Sequence, residues 1–328
     1  MEIVELDPDD REAVRGYVTV TNAVRRAGAP WEHDMTEREA AGLFRYGWDL
    51  EPAVGYVARV DGAPVAMGEY AVSRRDNLHL AWLDVEVHPE HRRRGHGSAL
   101  LATLLERARS EGRTTVGIGW WEADAARGFA EGHGFEEKHV EVGRRQVLAD
   151  LDRAALDAAY DDARPHAAAY DLVRRLGPTP EEELEAMAVM TAAINDAPLG
   201  GLDIEDEVYD AERIRAYETA MEGRGIRPYK VFARHRGTGE LAGVTVVGVD
   251  TERPEIGEQH DTSVVAAHRG HRLGLLLKLE MLRWLHEAEP QLATIDTWNA
   301  EENRHMIDVN EVLGYVVLGR AVSFQRKL

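Results

Sequence analysis

Hydrophobic and polar positions along the chain change period from segment to segment, which predicts a series of strands and helices. Leu100, Leu104 and Ala108 recur at helical spacing, whereas the pair Asp61-Gly62 between two apolar runs predicts a hairpin, because glycine tolerates a positive φ. Strands are predicted at 2–6, 54–60, 63–72, 78–87, 114–120, 135–148, 171–174, 228–235, 241–249, 259–265, 292–297 and 315–325. Helices are predicted at 9–26, 36–46, 97–110, 123–132, 150–168, 179–196, 209–223, 272–288 and 302–312. This order predicts a mixed α/β sheet.

The chain contains this pattern twice. The segment from Asp84 to Gly97 returns 177 residues later as the segment from Asp261 to Gly274, with a histidine, an arginine and the final glycine at matching places. A later pair, Gly134-Phe135, returns as Gly314-Tyr315. A repeat of this length indicates two copies of one folding unit. We therefore predict an N-terminal domain at 1–150, a helical connector at 151–167 and a C-terminal domain at 168–328.

Composition narrows the classes of function. The 328 residues include 39 basic and 59 acidic ones, for a formal net charge of −20, which argues against a nucleic-acid or membrane-surface binder and favours a small cationic partner. The absence of cysteine excludes disulfides, thiolate metal sites and a cysteine nucleophile. His268 and His271 lack a third nearby ligand, so we expect no metal site. We expect a cytoplasmic protein, because no apolar stretch is long enough for a signal core or a membrane span. We also expect a monomer or a homodimer.

One motif carries the candidate chemistry. Arg92, Gly95 and Gly97 lie between a predicted strand and the first turn of a helix. The first amides of a helix have no internal partner and carry the positive end of its dipole, so a glycine-rich turn at this place can bind a diphosphate. The second copy has Arg269 and Gly274, but Arg272 replaces the middle glycine, and we expect it in the helical region of φ.

These residues resemble the GCN5-related N-acetyltransferase (GNAT) family, whose central motif is Arg or Gln, two residues, Gly, one residue, then Gly or Ala. A later family motif is Asn, two residues, Ala, three residues, Tyr and then a Gly-Phe pair. The second copy offers Asn303, Met306, Asn310 and Gly314-Tyr315, and the first offers Ala123, Ala126, Ala130 and Gly134-Phe135. The tandem layout is similar to that of double-GNAT proteins such as mycothiol synthase.

The resemblance implies a fold and an activity. It implies an α/β (α+β) protein of two GNAT-like acyl-CoA N-acyltransferase domains, each a mixed, mostly antiparallel sheet flanked by helices. It implies acetyl-CoA as cosubstrate and direct transfer of the acetyl group to the primary amine of a small, cationic acceptor. The central strand and its neighbour should splay apart, so that a backbone amide near Val87 or Val264 can polarise the thioester.

The resemblance also implies candidate site residues. The base is sought among Asp84, Glu86, Asp261 and Glu258, with His260 as an alternative. The cofactor-binding candidates are Val85, Val87, Arg92, Arg93, Arg94, Gly95, His96, Gly97, Val264, Arg269, Gly270, His271, Arg272, Gly274 and Asn303. The substrate-binding candidates are Asp203, Glu205, Glu207, Tyr209, Trp298 and Asn299.

One departure from the family pattern keeps alternatives open. The tyrosine that serves the family as proton donor is replaced by Ala130 in the first copy and by Asn310 in the second. A thiolate can leave without full protonation near neutral pH, since thiols ionise at about pH 8.5. We favour the second copy as the catalytic one. The alternatives are a non-catalytic acyl-CoA-binding or regulatory protein, and a split in which one copy binds coenzyme A while the other reacts.

Overall fold

The computed structural model describes residues 1–328, which divide into two units, each assembled from separate segments of the chain. Unit 1 comprises Met1–Val140, Leu199–Asp206 and Gly319–Leu328. Unit 2 comprises Glu141–Pro198 and Glu207–Leu318. Each unit therefore includes the end of the last strand of the other copy of the repeat. The predicted boundaries at 150 and 168 concern the repeats along the sequence and remain a prediction.

Unit 1 is built on a sheet in which only one pair of neighbouring strands is parallel. Its strands are β1 (Glu2–Glu5), β2 (Val54–Val60), β3 (Ala63–Ala71), β4 (Leu80–Val87) and β5 (Thr115–Trp121), followed by the end of the last strand, β12 (Val316–Lys327). Strands β4 and β5 are the parallel pair. Its helices are α1 (Arg11–Gly28), α2 (Glu37–Tyr46), α3 (His96–Ser110) and α4 (Asp124–Gly132).

The two faces of the unit 1 sheet have separate cores. Tyr17, Phe44 and Met67 belong to the core between the sheet and helices α1 and α2. Leu100 and Leu104 of α3 pack on the other face. Side chains start the first two helices: the carboxylate of Asp10 accepts hydrogen bonds from the first turn of α1, and a capping box starts α2.

Unit 2 repeats this order of elements. Its strands are β7 (Tyr170–Leu176), β8 (Ile226–His235), β9 (Leu241–Asp250), β10 (Ile256–Val264) and β11 (Thr294–Ala300), together with the end of β6 (Glu136–Val147). Its helices are α5 (Arg153–Ala163), α6 (Leu184–Thr191), α7 (Ala211–Arg224), α8 (Leu273–Ala288) and α9 (Arg304–Val312). Only β10 and β11 are parallel.

Helices cover both faces of the unit 2 sheet as well. Helices α6 and α7 pack on one face through Met190 and Ile214, whereas α8 packs on the other through Leu276 and Leu285. The helix predicted at 179–196 is shorter than expected, because 3₁₀ turns at Glu181–Glu183 and Ala192–Asp196 flank α6. The predicted fold class, a mixed and mostly antiparallel sheet flanked by helices in each copy, is confirmed.

Candidate active site

Both units have a gap between their two parallel strands, which we call the strand gap. In unit 1, β4 and β5 are paired only from Leu80 and Thr115 to Leu83 and Ile118. In unit 2, β10 and β11 are paired only as far as Glu258 and Asp296. Beyond these residues the strands continue without pairing to each other. Backbone groups that would pair within a closed sheet are therefore available on both sides of each gap.

The backbone amides of Val87 and Val264 point toward the strand gaps. His88 donates its amide to Val65 of the neighbouring strand at 3.0 Å, and Val265 does the same to Ala242 at 2.9 Å. Because successive amides of an antiparallel strand point in opposite directions, the amide one residue earlier points away from that neighbour. This is the direction expected for a group that polarises a carbonyl in the gap.

A glycine-rich loop follows each central strand, at Arg92–Gly97 in unit 1 and at Arg269–Gly274 in unit 2. Both loops hold two left-handed residues two positions apart, but glycine and arginine exchange places. Unit 1 has Arg93 at φ 62° and Gly95 at φ 85°, whereas unit 2 has Gly270 at φ 83° and Arg272 at φ 56°. The expectation of a helical φ at Arg272 is therefore wrong. The two loops thus have left-handed residues at the same two positions, and in each loop one of these residues is an arginine, for which this conformation is energetically unfavourable.

The helices after these loops begin without a side-chain cap. No side chain accepts from the first amides of α3 or α8, although Asp10, Asp152 and Asp210 cap other helices. In unit 2 a Cβ added to Gly274 would meet no atom within 4 Å, so the space beside the first turn of α8 is open. Uncapped amides beside open space fit the diphosphate of acetyl-CoA.

The first arginine of each loop holds the strand rather than pointing into the loop. Arg92 donates from Nε to the carbonyl of Val87 at 3.2 Å, and Arg269 does the same to Val264 at 3.0 Å. Each arginine therefore fixes the loop against the end of the central strand.

The remaining loop charges differ between the units. In unit 2, Arg269 is paired with Asp196 and Arg272 with Asp162. In unit 1, Arg93 and Arg94 are exposed and form no ion pair, and Arg94 contacts only the ring of His91. The imidazole of His96 lies against the sulfur of Met1 at 3.2 Å, and that of His271 against the carbonyl of His166 at 3.2 Å. Unit 1 therefore presents the more basic loop.

Two aromatic side chains fill the strand gap of unit 1. Trp120 of β5 donates from Nε1 to Asp84 of β4 at 3.1 Å, directly beyond the point where the strands separate. Phe129 of α4 lies 6.3 Å from the Trp120 ring, and its edge is 3.4 Å from where a Cβ of Gly97 would lie. A hydrogen bond between Ser98 and His133 at 3.0 Å further joins α3 to the end of α4.

Three carboxylates share one face of β3 and β4 in unit 1. Glu69 is directly opposite Asp84 in the strand register, and Glu86 is two residues beyond Asp84. The hydroxyl of Tyr17 donates to Glu69, whereas Oε2 of Glu86 is buried with no hydrogen-bond partner. Burial and mutual repulsion raise the pKa of both Glu69 and Glu86, and burial raises the pKa of Asp84. The fixed partners of Asp84 and Glu69 make this cluster a closed network.

Unit 2 has a β-bulge at the equivalent place. The register between β9 and β10 shifts between Gln259 and Thr262, so His260 and Asp261 together face one residue of β9. Burial, followed by the nearby Glu207, raises the pKa of Asp261 to about 6. Nδ1 of His260 is 2.6 Å from the hydroxyl of Tyr217, and burial lowers the pKa of His260 to about 3. His260 is therefore neutral, and Asp261 is the ionisable group of the bulge.

The acidic segment predicted to bind substrate is divided between the units. Asp203 and Glu205 belong to unit 1, where Asp203 is paired with Lys327 and accepts from Thr115, and the amide of Glu205 donates to Asn77. Glu207 and Tyr209 belong to unit 2. The hydroxyl of Tyr209 donates to Glu207 at 2.6 Å, close to the bulge. Only the second pair thus lies in the same unit as Asp261.

Polar side chains beyond the strand gap of unit 2 form a chain that the sequence did not reveal. Asn303 caps α9 by accepting from the amide of Met306 at 3.2 Å. Asn299 accepts from Asn310, which in turn accepts from the buried Lys278. Burial lowers the pKa of Lys278 to about 7. Trp298 is exposed, with 36% of its surface accessible.

Sequence reasoning missed Glu69, Tyr217 and Lys278. The register that places Glu69 against Asp84 and the packing of Tyr217 on the bulge are tertiary features. The available signal for Lys278 was a lysine on the apolar face of a helix, where the first copy has Leu101. No group of three or more histidine or acidic side chains is arranged to hold a metal ion. None of the helices has both the length and the apolar composition that spanning a bilayer requires.

Known proteins resemble this chain in sequence and in fold. Residues 19–135 match the Acetyltransferase (GNAT) family profile. Mycothiol acetyltransferase of Stackebrandtia nassauensis is 27% identical over 304 residues, covering 90% of this chain and 89% of that protein. A solved tandem GNAT protein from the clavulanic acid biosynthesis pathway is 28% identical and superposes with a TM-score of 0.81, covering 99% of this chain and 98% of that one. A GCN5-related N-acetyltransferase of Sphaerobacter thermophilus shares the fold, with 16% identity, a TM-score of 0.65 and coverage of 99% and 95%.

The solved tandem protein matches over almost the whole chain, so the similarity includes both units. The relatives are named acetyltransferases, and GNAT acetyltransferases use acetyl-CoA as the acyl donor. Residues 19–135 thus match the GNAT acetyltransferase family, and the whole chain is similar to proteins that carry two GNAT units.

Proposed function

We propose that the protein transfers an acetyl group from acetyl-CoA to the primary amine of a small cationic molecule, and that the reaction takes place in unit 2. The observation that carries this proposal is the bulge of β10, which places Asp261 just beyond the last residues that pair β10 with β11. In unit 1 the equivalent gap is filled by Trp120 and Phe129. A reaction between two substrates needs that space.

Different groups of unit 2 would contact different parts of acetyl-CoA, the acetyl donor. The amides of the first turn of α8, from Gly274 onward, would hold the diphosphate, and Arg269 fixes the loop to the strand. When bound, acetyl-CoA supplies the acetyl group as a thioester. The amide of Val264 points toward the gap and would polarise the carbonyl as negative charge develops on its oxygen.

Asp261 is the proposed base. An ammonium group must lose a proton before its nitrogen can attack, and a carboxylate with a pKa of about 6 accepts protons more readily than an ordinary aspartate. It still carries a negative charge at neutral pH. Its carboxylate would therefore first attract the cationic acceptor and then take its proton, directly or through a water molecule. The exposed Glu258 on the same strand is the second candidate.

Charge and aromatic surface support a cationic acceptor. Glu207 lies near Asp261 and raises its pKa, but Arg213 pairs with Glu207 at 3.1 Å, so the attraction for a cation in this part of unit 2 rests mainly on Asp261. The hydroxyl of Tyr209 donates to Glu207, and Trp298 is exposed near the end of β11. Acidic groups beside aromatic rings favour an ammonium ligand. The protein as a whole carries a charge of −20, which adds a long-range attraction for cations.

The test is release of coenzyme A in the presence of single amines, followed with a thiol reagent to which the cysteine-free protein contributes no background. The panel includes polyamines and aminosugars, none of which carries a thiol of its own. Gly274→Trp places an indole in the open space beside α8 and should reduce turnover by about 100-fold or more.

The matched control alters the other loop. Arg93 and Arg94 are exposed and form no ion pair, so reversing both charges in Arg93→Glu/Arg94→Glu removes the basic loop of unit 1 without disturbing its packing. Turnover should be retained in this variant. Loss of turnover only in Arg93→Glu/Arg94→Glu would assign the reaction to unit 1, and no release with any amine would refute the proposed activity.

A second role is favoured for unit 1: binding of acyl-CoA without reaction. Its loop carries unpaired arginines, which suit a diphosphate, but Trp120 and Phe129 occupy the path to the central strand. Calorimetric titration with coenzyme A should then show two sites in the wild type. Gly274→Trp should leave one site, and Arg93→Glu/Arg94→Glu should leave the other. A single site that disappears only in Gly274→Trp would exclude this role.

A further inference from the structure

A buried lysine in unit 2 has no carboxylate partner. Lys278 of α8 is 3% exposed, its ammonium donates to Oδ1 of Asn310 at 2.8 Å, and it lies 5.1 Å from the centre of the Tyr315 ring. An ammonium in this environment is costly, because neither an amide nor a ring neutralises it. The fold does not require it, since Leu101 and Ala130 hold the positions of Lys278 and Asn310 in unit 1.

The lysine fixes the direction of a hydrogen-bonded chain. Because the Lys278 amine donates to Oδ1 of Asn310, the Nδ2 of the same amide points away from the lysine. That Nδ2 donates to Oδ1 of Asn299 at 2.5 Å. Asn299 therefore turns its own Nδ2 outward, and this group makes no hydrogen bond within the protein. The three linked side chains therefore end in a hydrogen-bond donor, the Nδ2 of Asn299, on a side chain that is partly exposed.

The outer end of these three linked side chains is next to the strand gap in which we place the thioester. Asn299 is three residues beyond Asp296, the last residue of β11 that pairs with β10, so it borders the strand gap. Asn310, the middle member, stands where the family motif has tyrosine. The first member is on α8, the helix whose uncapped first turn faces the proposed diphosphate site.

We propose that Lys278 is a positioning residue that acts through Asn310 to orient Asn299 as the hydrogen-bond donor to the departing sulfur in unit 2. This inference rests on the proposed function. As the new C–N bond forms and the C–S bond breaks, sulfur leaves with the bonding electron pair and is stabilised as a thiolate by the Asn299 amide. The proton lost by the amine goes to Asp261 or to water, so the chain transfers no proton and needs none.

The critical variant copies unit 1 into unit 2. Lys278→Leu/Asn310→Ala installs the apolar pair found at the equivalent positions of unit 1, and it leaves no buried donor without an acceptor. Because it removes a buried amine without a carboxylate partner together with the amide that accepts from it, we expect this variant to fold with an unchanged or higher melting temperature. His286→Leu, an exposed change on the same helix, is the control.

The readout is the pKa of the thiol of bound coenzyme A, followed by the ultraviolet absorbance of the thiolate in the Arg93→Glu/Arg94→Glu background. Hydrogen bonds to charged groups are worth enough to shift this equilibrium about tenfold, so the bound thiol pKa should be about one unit higher in Lys278→Leu/Asn310→Ala than in the parent. Asn299→Ala should give the same shift, and His286→Leu none. In turnover, kcat should fall about tenfold while KM for acetyl-CoA changes little.

Equal thiol pKa values in the parent and in both chain variants would overturn the inference. The thiol titration does not depend on an acceptor, so it separates this inference from the proposed function. If no amine is acetylated but the thiol pKa still shifts, the proposed activity fails and the role of the chain is supported. If unit 2 binds no coenzyme A in this background, the role of the chain is refuted.

Discussion

Units 1 and 2 share a backbone frame and differ in what fills it. Both have parallel strands that separate after a short pairing, and both have a loop with two left-handed residues before an uncapped helix. In unit 1, Trp120 and Phe129 fill the gap, whereas in unit 2 the central strand has a β-bulge that contains Asp261. The shared backbone therefore determines where the acetyl donor can bind. A few side chains at the strand gap determine whether the acceptor can reach that donor.

The acids show the same contrast. Asp84 of unit 1 is held by Trp120 and lies opposite Glu69, which itself accepts from Tyr17. Asp261 of unit 2 stands on the bulge, where no ordinary strand pairing fixes its neighbours. A carboxylate inside a closed network has less freedom to accept a proton from a ligand than one at the edge of a gap.

Replacing each of the two equivalent aspartates by asparagine should give the largest difference in kcat/KM between a unit 1 variant and a unit 2 variant. Asp261→Asn removes the proposed base and should lower kcat/KM by about 100- to 10,000-fold, the usual contribution of a general base. Asp84→Asn should change it by less than about threefold, because unit 1 is not expected to react. Initial rates with the best amine measure both. A greater loss in Asp84→Asn would reverse the assignment of the catalytic unit.

The pH profile should report the raised pKa of Asp261. The base is active when deprotonated, so kcat/KM should fall about tenfold for each pH unit below the pKa of about 6. An ordinary aspartate would hold its activity down to about pH 4. Rates between pH 5 and 8 at saturating acetyl-CoA decide between them. A profile whose acid limb is unchanged in Asp261→Asn would show that another group is titrating.

Removing the two aromatic rings from the strand gap of unit 1 should strengthen coenzyme A binding in that unit. Trp120→Ala removes the bridge to Asp84, and Phe129→Ala clears the space beside Gly97. The double variant should bind coenzyme A in unit 1 about tenfold more tightly if these rings hinder the pantetheine arm, since that corresponds to about 1.4 kcal/mol. Calorimetry in the Gly274→Trp background measures it, and unchanged affinity would mean that the rings do not obstruct the site.

Neutralising one arginine in each loop should give the smallest effect and compare the loops directly. Arg94→Gln removes a charge that no carboxylate offsets and should weaken coenzyme A binding in unit 1 by about threefold. Arg272→Gln removes a charge already paired with Asp162 and should change binding in unit 2 by less than about twofold. Titrations at low and at high salt provide the check. Equal losses in both would show that the ion pair with Asp162 does not screen the loop.

Much of the fold could be predicted because its signals are local. Helical spacing around Leu100 and Leu104 and the Asp61-Gly62 turn determine elements through contacts between neighbouring residues. The repeat, with Gly97 and Gly274 at matching places, then predicted that the order of elements would occur twice. The position of both loops before α3 and α8 could be predicted for the same reason.

The strand exchange could not be predicted in this way. The end of β12 pairs with β5 in unit 1, from Lys327 and Thr115 to Ala321 and Trp121, and the end of β6 pairs with β11 in unit 2. Apolar alternation gives β6 and β12 their strand character but does not select a partner. That choice depends on contacts between residues far apart in sequence.

The sequence alone determined the duplication, the element order and the two loops, because turn chemistry and periodicity act over a few residues. Which side chains meet at each strand gap depends on contacts between elements that are far apart in the sequence. The left-handed φ of Arg272, the bulge at His260 and Asp261, and the chain from Lys278 to Asn299 all arise from such contacts. Each depends on the relative placement of strands and helices that are distant in the chain, and local residue preferences carry no information about that placement.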